Sequence, residues 1–203
     1  VFNIFSKNKL FDMKKLLLLL IAIATVSCNS NAKSVEVVET VEAESMAATD
    51  PNDFEELKEL EGKWAGTLER TDGSSDELTL DYTVTSNGSA LLEESLTGGI
   101  EMLSIFNFQN DELLLTHYCG LQNKPISKLT GNDKGILSFT TDSEMSGLTL
   151  EKDTYVTSWE INLNPDDADK IMYKYTISGP EGDVFTASST CLLYTSDAAD
   201  ECD

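Results

Sequence analysis

The chain has 203 residues and a formal net charge of −22, from 14 Lys and Arg against 36 Asp and Glu. So few cations do not suit a nucleic-acid partner, which needs clustered Lys and Arg to neutralise phosphates, and 40% hydrophobic content is too high for a wholly disordered chain. One histidine and four cysteines leave little material for a His-rich metal centre, and none is expected.

Residues 1–12 precede an internal Met13 and read as non-native upstream translation. From Met13 the chain runs through Lys14 and Lys15, an apolar stretch over 16–26, and Ser27-Cys28. A basic start, a short apolar run and small residues have the form of a secretory signal peptide over 13–27. The run is shorter than the about 20 residues of a transmembrane helix. Ser27-Cys28 resembles the lipobox of a bacterial lipoprotein signal, although Thr25 replaces the usual Leu. The resemblance implies that Cys28 is the lipidated first residue of the mature protein. It also implies export to the bacterial cell envelope as an outer-membrane lipoprotein, touching the membrane through its N-terminal lipid only.

Residues 28–52, with Glu36, Glu39, Glu42 and Glu44, read as a flexible acidic tether. Asp50-Pro51-Asn52-Asp53 is a helix-start cluster, and Phe54, Leu57 and Leu60 follow at helical spacing until Gly62. The period then changes to two. Trp64, Gly66 and Leu68 alternate with polar or small residues, as do Leu78, Leu80, Tyr82 and Val84. Asn87-Gly88 is a hairpin signal. Strands follow over 90–96, 100–108 and 113–119, separated by Gly98-Gly99 and Asn110-Asp111. After a longer loop over 120–125 come a short strand over 126–129, another over 136–140, a loop with a helical turn over 142–148, and strands over 154–163, 171–177 and 184–190. About ten short strands at turn spacings of roughly 8–12 residues predict an all-β chain. They form an antiparallel meander that closes into a barrel, with a short helix before the first strand and room for one small ligand.

Two motifs carry resemblances. A short helix feeding Gly62-Lys63-Trp64 resembles the opening of a lipocalin, in which the Trp plugs the closed end of the barrel beneath the helix. Thr116-His117-Tyr118-Cys119, followed by Asn123 and Pro125 and later by Ser158-Trp159-Glu160, resembles a lipocalin-like family of unknown function in bacterial exported proteins. This resemblance covers roughly residues 57–190. It implies a lipocalin-like, calycin-type β-barrel over 53–190 and brings no activity with it. Gln122 stands where a small residue is expected.

Strand alternation places Leu113, Leu115, His117 and Cys119 on one face and Leu114, Thr116 and Tyr118 on the other. The first face is the candidate interior. His117, Cys119, Leu115, Phe106, Asn123, Trp159 and Tyr175 are the candidate ligand-binding residues: apolar wall, aromatic surface and one imidazole. The expectation is a lipid-anchored barrel holding a small apolar molecule, with no cofactor required by the sequence. A haem-binding barrel resembling nitrobindin, with a His ligand, is one alternative. An enzyme using His117 as base and Cys119 as nucleophile is another. No group can be placed to orient that pair, so no catalytic residue is assigned.

The string 191–201 resembles the one-frame translation of a tagmentation sequencing adapter. That implies that 191–203 are foreign and that the native chain is interrupted near Thr190. With Cys28 lipidated, Cys119 is then the only thiol left, and no intramolecular disulfide is expected.

Overall fold

The computed structural model describes residues 49–163 and 166–194. The signal peptide, Cys28, most of the tether and residues 195–203 lie outside the described residues.

The helix-start cluster does what its composition dictates. Helix α1 (Pro51–Lys58) is capped by Asp50, whose side chain accepts from the Asn52 N–H at 2.9 Å, while Asp53 accepts from the Asp50 N–H at 3.2 Å. Its apolar stripe, Phe54 and Leu57 with Leu60 just beyond, is buried. Ten strands follow: β1 (Gly62–Arg70), β2 (Ser75–Thr85), β3 (Ala90–Thr97), β4 (Ile100–Gln109), β5 (Glu112–Tyr118), β6 (Ile126–Asp133), β7 (Ile136–Thr141), β8 (Tyr155–Asn162), β9 (Lys170–Gly179) and β10 (Gly182–Tyr194). A one-turn helix α2 (Ser143–Ser146) lies between β7 and β8. Each strand pairs antiparallel with the next, and β10 returns to β1, so the all-β meander closes into a barrel as expected.

Three connections are two-residue turns with both residues at positive φ: Gly98-Gly99, Asn110-Asp111 and Lys134-Gly135. Backbone twist of this sense matches that of the flanking strands. The Asn87-Gly88 signal resolves differently. Ser86, Asn87 and Gly88 are all at positive φ within a four-residue connection closed by the Thr85–Ala90 pair, which keeps the register a two-residue turn would have set. Strand β6 is longer than the expected 126–129. Its pairing with β7 slips between Leu129 and Gly131, and the extra residue breaks the alternation that sequence periodicity relies on.

One end of the barrel is plugged. Trp64, 3% exposed, donates from Nε1 to the Leu60 carbonyl at 2.8 Å and packs with Phe54, Leu57 and Leu60. Asp53 accepts from Asn132 Nδ2 at 2.7 Å and ties α1 to β6. At the seam, β1 and β10 run so close that a Cβ on Gly66 would lie 2.6 Å from the Thr190 carbonyl. Residues 191–194, the described part of the adapter-like string, continue β10. Leu192, Leu193 and Tyr194 pair with Ala65, Trp64 and Lys63, and Cys191 is buried.

Trp64→Ala is expected to destabilise the barrel by about 3–5 kcal/mol in urea unfolding. Trp64→Phe, which keeps the ring but abandons the Leu60 carbonyl, is expected to cost only about 1–3 kcal/mol. Equal losses for both would remove Trp64 from its role as plug.

Candidate functional site

The strand registers align four polar side chains in one interior row. Tyr82 on β2 pairs with Glu93 on β3, Glu93 with Ser104 on β4, and Ser104 with His117 on β5. All four are buried, Glu93 and Ser104 completely. Tyr82 Oη donates to Glu93 Oε2 at 2.5 Å and Ser104 Oγ to Glu93 Oε1 at 2.8 Å, while Ser104 Oγ also bonds His117 Nδ1 at 2.9 Å. From the other side of the barrel, Tyr173 Oη on β9 reaches Glu93 Oε1 at 3.3 Å.

Above this row an interior cavity of about 200 Å³ opens toward the end opposite α1. Its wall includes His117, Cys119, Trp159, Tyr173 and Tyr175, together with Leu78, Val156 and Ile177. Trp159 meets the His117 ring edge-on, with centroids 4.9 Å apart, and packs against Tyr173 and Tyr175 at 5.8 and 5.3 Å. Trp159 Nε1 is buried without a hydrogen-bond partner among the described residues. At the rim, Arg70 pairs with Asp76 at 2.6 Å, and its guanidinium lies over the Phe185 ring. A groove of about 540 Å³ also crosses the outside of β1–β4, but its wall presents the exposed charges of Lys63, Glu94 and Glu101.

The sequence-derived candidates thus divide. His117, Cys119, Trp159 and Tyr175 line the cavity. Leu115 and Phe106 are buried in the core but do not line it. Asn123 belongs to the β5–β6 loop. Its Nδ2 donates to the Thr154 carbonyl at 2.8 Å, and its carbonyl accepts from the Cys119 N–H at 3.0 Å. Gln122 takes φ 64°, a left-handed conformation. A glycine adopts that without cost, which accounts for the small residue expected there. Glu93, Ser104, Tyr173 and the Arg70–Asp76 pair were not among the candidates. On β3 the apolar count favours the face of Leu92 and Leu96, yet Leu91, Glu93 and Ser95 point inward and Leu96 is left exposed. The signal that finds Glu93 is turn register rather than hydrophobicity.

Burial acts on the titratable groups of the site. It pushes the Glu93 carboxyl up against the pull of its three hydroxyl donors, and lowers His117 to about 4, so the imidazole is neutral at neutral pH. It raises the Cys119 thiol, which therefore stays protonated. No hydrogen bond joins His117 to Cys119 among the described residues. Ser104 is wholly buried and engaged on both sides. The geometry is that of a cavity with one polar wall, in which neither Ser104 nor Cys119 is hydrogen-bonded as an activated nucleophile would be.

No family model matches the chain, and no curated protein matches it. Among solved structures it is similar to a protein of unknown function from the DUF3598 family of Nostoc punctiforme, with a TM-score of 0.50 and 14% identity. That match covers 68% of this chain and 49% of the other, so the chain spans about half that protein's length. The likeness is one of fold. EF1p2_mFAP2b bound to DFHBI (TM-score 0.35, 8% identity, 70% of this chain and 98% of that one) also matches. So does a de novo designed fluorescence-activating β-barrel (0.31, 10%, 68% and 95%).

His117 is the only histidine, so its titration can be read alone by NMR. The midpoint is expected near 4 rather than 6.5. The unfolded chain then takes up this proton at a higher pH than the folded one. Stability should therefore fall as pH drops from about 6.5 to about 4, by about 3 kcal/mol at the low end. Glu93, with its pKa raised on folding, acts in the opposite sense, its contribution falling as pH rises above 4.5. Comparison with His117→Phe isolates the histidine, since the acid-side loss should shrink in that variant. A midpoint near 6.5 would contradict the buried, neutral imidazole.

Proposed function

We propose that this protein binds a small molecule inside the barrel. The observation that carries the reading is the cavity of about 200 Å³ between the Trp64 plug and the open rim, walled by aromatic and aliphatic side chains with His117 on its face. Pockets that hold small ligands share this composition, mostly apolar with a few placed polar groups. The volume sets the scale. An apolar cavity of about 150 Å³ accommodates benzene, so this one suits a single substituted ring. Haem, a macrocycle of several such rings, is disfavoured by the same comparison. The enzyme alternative is disfavoured by the Cys119 thiol, which burial keeps protonated and which makes no hydrogen bond to His117 among the described residues.

Toluene is a suitable first probe. It is expected to raise the melting temperature in a concentration-dependent way, because a ligand bound only by the folded state stabilises it, and to perturb the fluorescence of Trp159. Cys119→Phe, which places a ring in the mouth of the cavity, should abolish both effects. Toluene effects that survive in Cys119→Phe would place binding elsewhere.

The lipobox-like Ser27-Cys28 supports a second element of the reading: the barrel is tethered by lipid at Cys28 to the bacterial envelope, held away from the membrane by the acidic residues that follow. In bacteria fed labelled palmitate, the wild type should incorporate label and Cys28→Ala should not. Equal incorporation would end the lipoprotein reading.

A further inference from the structure

The cavity's polar wall specifies more than size. Each hydroxyl of the interior row has one proton to give. Tyr82, Ser104 and Tyr173 all converge on Glu93, the arrangement suited to a carboxylate, which only accepts. The 2.5 Å contact from Tyr82 is in the range of a charge-assisted bond. With the Ser104 proton committed to Glu93, the 2.9 Å contact between Ser104 Oγ and His117 Nδ1 is completed by the ring, Nδ1–H donating and Oγ accepting. A neutral imidazole protonated at Nδ1 carries a lone pair at Nε2. No described residue donates to that nitrogen, and His117 forms part of the cavity wall.

We infer that the barrel selects uncharged one-ring molecules bearing a hydroxyl of the phenol type, the ring seated among Trp159, Tyr175 and Ile177 and the hydroxyl donating to His117 Nε2. This rests on the cavity reading above and deepens it. A purely apolar guest of the same shape would cover Nε2 without answering its lone pair. A carboxylate would bring a second set of lone pairs against Nε2, close to the Glu93 charge, and the rim cation Arg70 is already held by Asp76. An ammonium could donate, but burying it in this wall would strip its water while the Glu93 charge is already met by three hydroxyls.

The test compares four probes of similar size on the full chain: p-cresol, toluene, 4-methylbenzoate and 4-methylbenzylamine, titrated by calorimetry at pH 7. The expected result is p-cresol bound about tenfold more tightly than toluene, the scale of one hydrogen bond to an acceptor that toluene would cover and leave unpaired, with both charged probes weaker than p-cresol. In His117→Phe the ratio of cresol to toluene affinity should fall to about one. Nitrogen-15 NMR of the single histidine should show the proton on Nδ1 in the free protein, a readout independent of whether the variant folds. A cresol-to-toluene ratio of one in the wild type, a preference for either charged probe, or an Nε2-protonated ring would overturn the inference. Toluene binding without a cresol preference would leave the cavity reading standing and this one refuted, whereas failure of every probe to bind would refute both.

Discussion

A carboxylate inside a β-barrel must be answered by donors, and Glu93 is answered from two sides. Tyr82 and Ser104 are its neighbours on the adjoining strands, and Tyr173 reaches it across the interior. An unpartnered buried charge costs several kcal/mol, so the arrangement tolerates little change in register. Sliding β3 by one residue would turn Glu93 to solvent and bring Leu92 or Glu94 inward. The row therefore couples β2 through β5 to β9, and the orientation of His117 follows from it. The imidazole is not merely buried. It is held at one nitrogen by a hydroxyl that is itself held by a carboxylate.

The rest of the molecule frames this row asymmetrically. Below it, Trp64 and the apolar stripe of α1 fill the barrel with packed side chains. Above it, the turns after β1, β3 and β9 and the loop carrying Asn123 leave the cavity, and Ile100 and Leu121 are exposed at its rim. The same strands thus serve as core at one end and as cavity wall at the other. A change in core packing below the row is expected to act on stability, and a change above it on the shape of the cavity.

Much of the fold was legible because the turns announce themselves. Gly98-Gly99, Asn110-Asp111 and the Asn87-Gly88 loop each fix which residues face one another. Read together, they bring Tyr82, Glu93, Ser104 and His117 into line without reference to hydrophobicity. Alternation identified the His117 face of β5 because Leu113 and Leu115 mark it. It failed on β3, where the buried face carries Glu93 and Ser95 while Leu96 lies outside. It failed again on β6, where the slip at Gly131 interrupts the period. The contact of Tyr173 with Glu93 joins strands far apart in the sequence, and no local pattern encodes it. Nor does any pattern distinguish Phe106 and Leu115, packed beneath the cavity, from Trp159 and Tyr175 in its wall.

The seam between β1 and β10 has a consequence for how the chain reaches this structure. A closed barrel has no free edge, but every other strand pairing here joins neighbours in sequence, and this one alone joins the two extremes of the sheet. Until β10 arrives, β1 and β9 each present an unpaired row of backbone donors and acceptors, the template on which intermolecular strand addition begins. Closing a loop across the whole sheet costs entropy before its contacts repay it, so this pairing is expected to follow the local hairpins. The high negative charge of the chain, of little use to the cavity, is well placed to keep such open-edged intermediates apart during that interval.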